Sequence, residues 1–233
     1  MKDLLKRKCD EIGVELTDFQ CAQFERYYEL LIDWNKKINL TRITEPDEVV
    51  IKHFVDSLTL LKYCEIPQNA KVIDVGTGAG FPGIPLKIAR PDIELTLLDS
   101  LNKRLTFLKE VCGNIEISAE LVHLRAEEGS RKPEYRDFFD VVVSRAVARL
   151  NTLSEYCLPY VKVGGSFIAM KGPELSAELN EAKSAIKTLG GKVESVEEFE
   201  LCGSGRTIVT IIKEKQTPKA YPRHSSKIKA KPL

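Results

Sequence analysis

Nowhere in the 233 residues do two cysteines stand as a CxxC pair; the six (Cys9, Cys21, Cys64, Cys112, Cys157, Cys202) are scattered along the chain. In a chain of this length that spacing excludes a zinc ribbon or a dense disulfide frame. It points instead to free thiols in a reducing, cytoplasmic compartment. No apolar run approaches the roughly 18 residues of a membrane helix, and stretches such as Phe138–Val143 are far shorter. The opening MKDLLKRKCDEIG carries acids and has no apolar h-region, so no secretory leader is expected. Histidine is scarce, at three, and no repeat or low-complexity tract stands out.

Nor is there an excess of charge of one sign, with Lys+Arg 35 against Asp+Glu 34. The balance hides an asymmetry. From Lys213 to Leu233 there are seven Lys/Arg and one acid, whereas residues 1–212 carry 28 bases against 33 acids. An acidic body with a basic tail has two readings: a contact for a polyanion, or a solvated tail that aids solubility. Charge alone does not choose. The 43% hydrophobic and 30% charged shares are globular, and the length suffices for one large domain with an appendage.

Three segments follow from the patterning. Residues 1–66 read as a helical cap. Phe19, Ala22, Tyr27, Leu30, Leu31, Trp34 and Ile38 recur at helical spacing behind Thr17 or Asp18 as a cap. A second helix is expected from Thr44 as N-cap, with Asp47 at the capping-box position and Pro46 tolerated in the first turn. Its stripe is Val50, Phe54, Ser57, Leu58 and Leu61. Residues 67–213 alternate short apolar strands (71–75, 94–98, 120–124, 140–143, 166–170) with amphipathic stretches (84–89, 103–111), the pattern of a doubly wound α/β domain. Two further strands, 193–201 and 207–213, flank a turn at 202–206 and are expected to close the parallel sheet with an antiparallel hairpin. Residues 214–233 form the basic tail.

The chemistry centres on Asp74-Val-Gly76-Thr-Gly78-Ala-Gly80-Phe-Pro-Gly83, a glycine turn between a strand and a helix. Two registers compete. Gly78, Gly80 and Gly83 fit G-x-G-x-x-G, whose helix start grips a pyrophosphate. Gly76, Gly78 and Gly80 give D-x-G-x-G-x-G, the loop of S-adenosylmethionine-dependent methyltransferases, with Asp74 placed to hold the ligand's ammonium. Pro82 and Pro85 suit a wide rigid loop better than a tight helix start. Asp99, at the end of the next strand, is the expected ribose acceptor in either register.

Together with these residues, further strings carry a resemblance that runs nearly end to end: Asn39-Leu-Thr41, His53-x-x-Asp56-Ser57, Val75-GTGAGFPGIPL, Leu97-Leu-Asp99-Ser100, Lys103-Arg104, Arg125-Ala-Glu127-Glu128, Ser144-Arg145-Ala146 and Lys171-Gly172. The sequence resembles the RsmG (GidB) family of bacterial 16S rRNA guanine-N7 methyltransferases. One departure is visible: His224-Ser-Ser follows Pro222-Arg223 where the family often has Gly and Pro. The resemblance implies a class I S-adenosylmethionine-dependent fold, Rossmann-like, with a mostly parallel seven-stranded sheet and an N-terminal helical extension. It further implies methylation of a guanine N7 in the 530 loop of the small subunit, by a monomer in the cytoplasm. By the same resemblance Gly76, Gly78, Gly80 and Phe81 form the cofactor loop, Asp99 and Ser100 meet the ribose, Ala126 and Glu127 flank the adenine, and Arg145 reaches both cofactor and base.

Guanine N7 has an in-plane lone pair and no proton to lose, so no general base is expected. The chain agrees by omission: it has no Asn/Asp-Pro-Pro-aromatic tetrapeptide and no Pro-Cys pair. Arg145 is expected to orient the base, helped by Asn39. His53, Asp56 and Ser57 share one helix face, either as an acid–base or metal set or as a polar patch fastening the cap over the glycine loop. One His with one Asp is a poor ligand set, and no metal is expected. His123 reads as a core residue, and Trp34, Tyr27 and Tyr28 as helix packing. RNA contact is assigned to Arg125, Lys171, Lys219, Arg223, Lys227, Lys229 and Lys231, with a steep salt dependence.

Overall fold

The computed structural model describes every residue except Ala146 and Glu174. After α1 (Lys2–Glu11), α2 (Asp18–Asn35) starts at Thr17 with a reciprocal capping box. Thr17 Oγ1 accepts from Gln20 N–H at 3.2 Å, and Gln20 Oε1 accepts from Thr17 N–H at 2.9 Å. The buried face of α2 is Cys21, Phe24, Tyr27, Leu30 and Leu31. Phe19 and Ala22, expected in that stripe, lie on the exposed side. Gln20 and Gln23 explain the shift. Their side-chain amides donate to the carbonyls of Ile88 (2.8 Å) and Ile115 (2.6 Å), so two polar residues turn inward beside the apolar ones.

The second cap segment begins one residue later than expected. Glu45, without a side-chain cap, precedes α3 (Pro46–Val49), with Pro46 in its first turn. Thr44 instead accepts the Tyr28 hydroxyl on its carbonyl at 3.1 Å. The helix then widens into a π-helical stretch, Val50–Val55, before α4 (Asp56–Leu58) and α5 (Leu60–Tyr63). Widenings of this kind concentrate at functional sites, and this one carries His53.

The strands follow as β1 (Lys71–Val75), β2 (Glu94–Asp99), β3 (Glu120–His123), β4 (Phe139–Arg145), β5 (Val161–Lys171), β6 (Gly191–Leu201) and β7 (Ser204–Lys213). They form one sheet in the order β3-β2-β1-β4-β5-β7-β6. All neighbours are parallel except β7, which runs antiparallel to both β5 and β6. The hairpin turn is tighter than expected. Cys202 and Gly203 alone connect the strands, both with positive φ (+49° and +80°), as a two-residue turn of matching twist requires.

Between the strands lie α6 (Gly83–Ala89), α7 (Asn102–Asn114), α8 (Ala126–Gly129), α9 (Leu150–Cys157) and α10 (Ser176–Thr188). Two apolar cores sit on the two faces of the sheet. One joins the cap (Leu5, Phe24, Tyr27, Phe54) to Val72, Leu97 and Val141. The other joins Ile73, Val142 and Phe167 to α9, α10 and the tail helix α11 (Ser225–Ala230) through Leu153, Ile186 and Ile228. The cap therefore shares its core with the sheet. The tail too is folded down, with Ile228 fully buried. Among the described residues no helix is long and apolar enough to cross a membrane.

Candidate active site

The chain leaves β1 toward β2 on one side, while β4 pairs on the other, so the C-terminal ends of these strands open a crevice where open α/β sheets bind ligands. Register brings the parts together: Val75 pairs with Leu98, Asp74 with Val143 and Asp99 with His123. A cavity of about 610 Å³ lies there.

The glycine loop forms its floor. Gly76, Gly78 and Gly80 take φ of +74°, +62° and +99°, a region that side-chain-bearing residues rarely adopt. Gly76 and Gly78 line the cavity with Phe81. Gly80 does not. It turns away against the buried cap, where a Cβ would lie 2.6 Å from the Tyr27 hydroxyl. That hydroxyl donates to the Ala79 carbonyl, and the Tyr27 ring lies 5.4 Å from the rings of Phe54 and Phe81. Tyr27, which the sequence presents as mere helix packing, is thus an anchor of the loop.

Asp74 also has a different place from the expected one. It is fully buried and absent from the cavity wall. Its Oδ2 accepts from Thr77 Oγ1 (2.7 Å) and Gly83 N–H (2.9 Å), while Oδ1 has no partner among the described residues. Burial pushes the carboxyl up to about 6. It braces the turn from beneath and does not face a ligand's ammonium. The pyrophosphate register fits poorly for a separate reason: its second glycine, Gly80, whose backbone would have to approach the ligand, packs against Tyr27 and Ile84 and lies outside the cavity wall.

Asp99 stands in the wall with both oxygens engaged. Oδ2 accepts from Gly78 N–H (2.9 Å) and Arg104 Nη1 (3.1 Å), and among the described residues Oδ1 accepts only from Leu101 N–H (2.9 Å). Oδ1 therefore keeps an acceptor site. Ser100, Arg125, Ala126 and Glu127 also line the cavity. Glu127 is 7% exposed and pairs with no cation among the described residues. A nearly buried carboxylate without a cation suits a ligand bearing hydroxyl or amine donors. His123, expected in the core, is exposed and lies 3.1 Å from the Ser100 carbonyl.

Arg145 closes the opposite end. Its Nη1 donates to Asp56 Oδ2 (2.8 Å) and the Lys52 carbonyl (3.2 Å), and its Nη2 lies 3.3 Å from His53 Nδ1. The guanidinium sits 5.0 Å over the Phe81 ring, on which the His53 imidazole also stacks at 4.5 Å. Burial, then the Arg145 charge, drives the His53 pKa down to about 3, so the ring is neutral. Its Nε2 meets Thr41 Oγ1 at 2.8 Å. Thr41 in turn is set by Asn35, whose Oδ1 accepts from the backbone of Leu40 and Thr41. The polar-patch reading of His53, Asp56 and Ser57 is the one the geometry supports. Among the described residues no cluster of three His, Cys, Asp or Glu is spaced to hold a metal ion. Asn39 is exposed and outside the wall, which takes Leu40 and Thr41 instead. Ala146 of the Ser-Arg-Ala string lies outside the described residues.

A second cavity, of about 400 Å³, shares His53 and Arg145 with the first, and its wall also includes Lys52, Asp56, Lys171, Glu178, Phe199 and Arg206. Arg206, which no motif marked, donates from Nε to Asp56 Oδ1 at 2.6 Å. Lys171 is tied to Glu178 and to the Ala148 carbonyl (2.7 Å), so it forms wall rather than free surface.

The tail residues separate into two groups. Lys219, Lys227, Lys229 and Lys231 are exposed. Arg223 is not free for a phosphate: its Nε and Nη2 donate to both oxygens of Glu155, which is 0% exposed, and its Nη1 donates to the Lys231 carbonyl. Lys229 and Ser225 line the first cavity. Thr152, Tyr156 and Val147 complete that wall without any signal in the sequence.

Among solved structures the fold matches precorrin-6y C5,15-methyltransferase from Geobacter metallireducens, with TM-score 0.53 and 18% identity over 76% of this chain and 92% of that one. The sheet and its helices therefore have the class I methyltransferase fold. Sequence relatives are much nearer. Ribosomal RNA small subunit methyltransferase G of Clostridium perfringens (strain SM101) is 50% identical over 99% of this chain and 98% of its own length. Its counterpart from Desulforamulus reducens is 52% identical over the whole of both chains. Residues 20–208, spanning most of the cap, the glycine loop, Arg145 and Arg206, match the family model for GidB, rRNA small subunit methyltransferase G, and this chain belongs to that family.

Proposed function

We propose that this protein methylates N7 of a guanine in the 530 loop of 16S rRNA, with S-adenosylmethionine as the donor held in the 610 Å³ cavity. The observation that carries the reading is Arg145: it belongs to the walls of both cavities and is held rigidly by Asp56, Lys52 and Phe81. One side chain thus borders the space for the donor and the space for a flipped-out base.

The residues present suit the donor. Asp99 Oδ1 and Glu127 offer acceptors for hydroxyl and amine groups, and Gly76 and Gly78 let the backbone come close. When bound, the donor supplies an electrophilic methyl group on a sulfonium. For the rest, the chain's task is alignment, worth up to about 7–11 kcal/mol in favourable systems. Guanine N7 attacks with its own lone pair and releases no proton. The neutral His53 is accordingly not needed as a base; with Thr41 and Asp56 it fixes the guanidinium. The Arg145 Nε–H has no partner among the described residues and is the donor we assign to the base.

Exposed Arg125, Lys219, Lys227 and Lys231 are the residues we assign to the RNA backbone, with affinity falling as salt rises. We assign it the form of a monomer acting in the cytoplasm, a reading supported by six free cysteines. The test incubates labelled S-adenosylmethionine with small subunits lacking the modification, followed by borohydride and aniline cleavage. Strand scission at one guanine of the 530 loop is expected. Label at an exocyclic amine or a ribose hydroxyl, without scission, would overturn the reading.

A further inference from the structure

The tail segment reaches the donor cavity from the side opposite the cap. Lys213, at the end of β7, is fully buried; its Nζ donates to the Leu158 carbonyl (2.5 Å) and Thr217 Oγ1 (2.7 Å). Arg136 then donates to the carbonyls of Thr217 (2.8 Å) and Tyr221 (3.0 Å), and Arg131, just past α8, donates to that of Pro222. Arg223 is clasped by Glu155 of α9, and Ile228 inserts into the core that α9 shares. Apart from the contacts of Thr217 with Lys213 of β7 and with the Leu189 carbonyl at the end of α10 (2.8 Å), these fastenings lie on α8, α9 or the segments joining them to the sheet. Those are the elements that present Ala126, Glu127, Thr152 and Tyr156 to the cavity. The segment so held carries Ser225 and Lys229 into the wall.

We propose that residues 217–231 are a structural part of the donor site, with Ser225 and Lys229 as binding residues at the end of the cavity lined by Ala126 and Glu127, so that donor binding and tail docking stabilise each other. This rests on the reading of that cavity as the S-adenosylmethionine site. It gives a second role to a tail whose basic residues are expected from the sequence to contact RNA. A wall held by buried ion pairs is coupled to its ligand by simple linkage: whatever binds only the docked form favours docking.

The experiment uses S-adenosylhomocysteine, the stable product, in calorimetry without RNA. Three chains are compared: the full protein, a chain ending at His224, and full-length Lys229→Ala. The last alters an exposed side chain and leaves the core intact. Affinity is expected to fall about tenfold or more in the shortened chain and about threefold in Lys229→Ala, differences that calorimetry resolves. In a second readout, saturating S-adenosylhomocysteine is expected to slow tryptic cleavage after Lys227 and Lys229 of the full protein. Equal affinities in all three chains together with unchanged cleavage would overturn the proposal while leaving the donor site standing. Failure of the full protein to bind the product at all would overturn the donor site itself, and the proposal with it.

Discussion

Asp56 divides its carboxylate between two arginines: Oδ2 receives Arg145 Nη1 at 2.8 Å and Oδ1 receives Arg206 Nε at 2.6 Å. The three residues come from the cap, from β4 and from β7, so one buried acid ties together the three elements around the second cavity. Removing it leaves two guanidinium groups, largely shielded from water, facing each other.

Asp56→Ala is therefore expected to lose about 3 kcal/mol of stability, near the lower end for breaking a buried pair because both arginines keep some solvent contact. Methyl transfer should fall by at least about tenfold through loss of alignment, while S-adenosylhomocysteine affinity stays within about twofold. Urea unfolding, single-turnover methylation and calorimetry measure the three quantities. Equal losses in donor affinity and transfer rate would show that Asp56 supports the first cavity instead.

The glycine loop separates strain from collision. At Gly78 a Cβ meets nothing closer than 3.9 Å, yet φ is +62°. Gly78→Ala should cost only the left-handed backbone penalty, roughly 1–2 kcal/mol, but it narrows the donor cavity. At Gly80, φ is +99° and a Cβ would also strike Tyr27 and Ile84. Gly80→Ala should cost about 2–4 kcal/mol. Adding Tyr27→Phe removes the struck hydroxyl and should recover part of that loss. Thermal unfolding of the three proteins decides it, and a double variant no more stable than Gly80→Ala would argue against the contact.

The strands and the glycine turn are legible in the sequence because their signals are local. Val141, Val142 and Val143 are buried on both faces of a covered sheet, and the positive φ at Gly76, Gly78 and Gly80 is encoded residue by residue. What the sequence hides depends on distant partners. Arg223 reads as a surface charge until Glu155, 68 residues earlier, is folded against it. Lys213 reads as the first charge of the basic C-terminal run, yet Leu158 and Thr217 bury its ammonium, and burial lowers it to about 8. Asp74 reads as a ligand for an ammonium, but the turn closes over it and engages one of its two oxygens, leaving the carboxyl buried and out of the cavity wall. Arg206 belongs to no motif, and only the antiparallel placement of β7 brings it to Asp56.

Acid stability should carry the mark of His53. Its folded pKa of about 3 lies below the ordinary 6.5, so the unfolded chain binds a proton that the folded chain refuses. The stabilisation is complete above 6.5 and is lost as pH falls toward 3. Asp74, raised by burial from 3.8 to about 6, has the opposite sign: its contribution is full below 3.8 and fades as pH rises through 6. The two oppose each other between roughly pH 4 and 6. Comparing the parent with His53→Gln isolates the histidine. The parent's advantage should shrink steadily from pH 6.5 to 4, by at most about 1.4 kcal/mol per pH unit. Parallel stability curves would mean that His53 protonates normally.

The Glu155–Arg223 clasp provides a double-variant test of how the tail is held. Glu155 accepts the Arg223 backbone N–H at 2.7 Å as well as its side chain, and nothing of it is exposed. Arg223→Met strands a buried carboxylate and should cost about 3–5 kcal/mol. Glu155→Leu strands a guanidinium that can still turn toward water, since it is partly exposed, and should cost less. Combining the two removes both charges from an apolar setting beside Ile228, so the double variant should be more stable than Arg223→Met alone. Urea midpoints at constant slope give the comparison. Strict additivity of the two losses would mean that the ion pair does not hold the tail, and that Ile228 and the Arg131 and Arg136 contacts do.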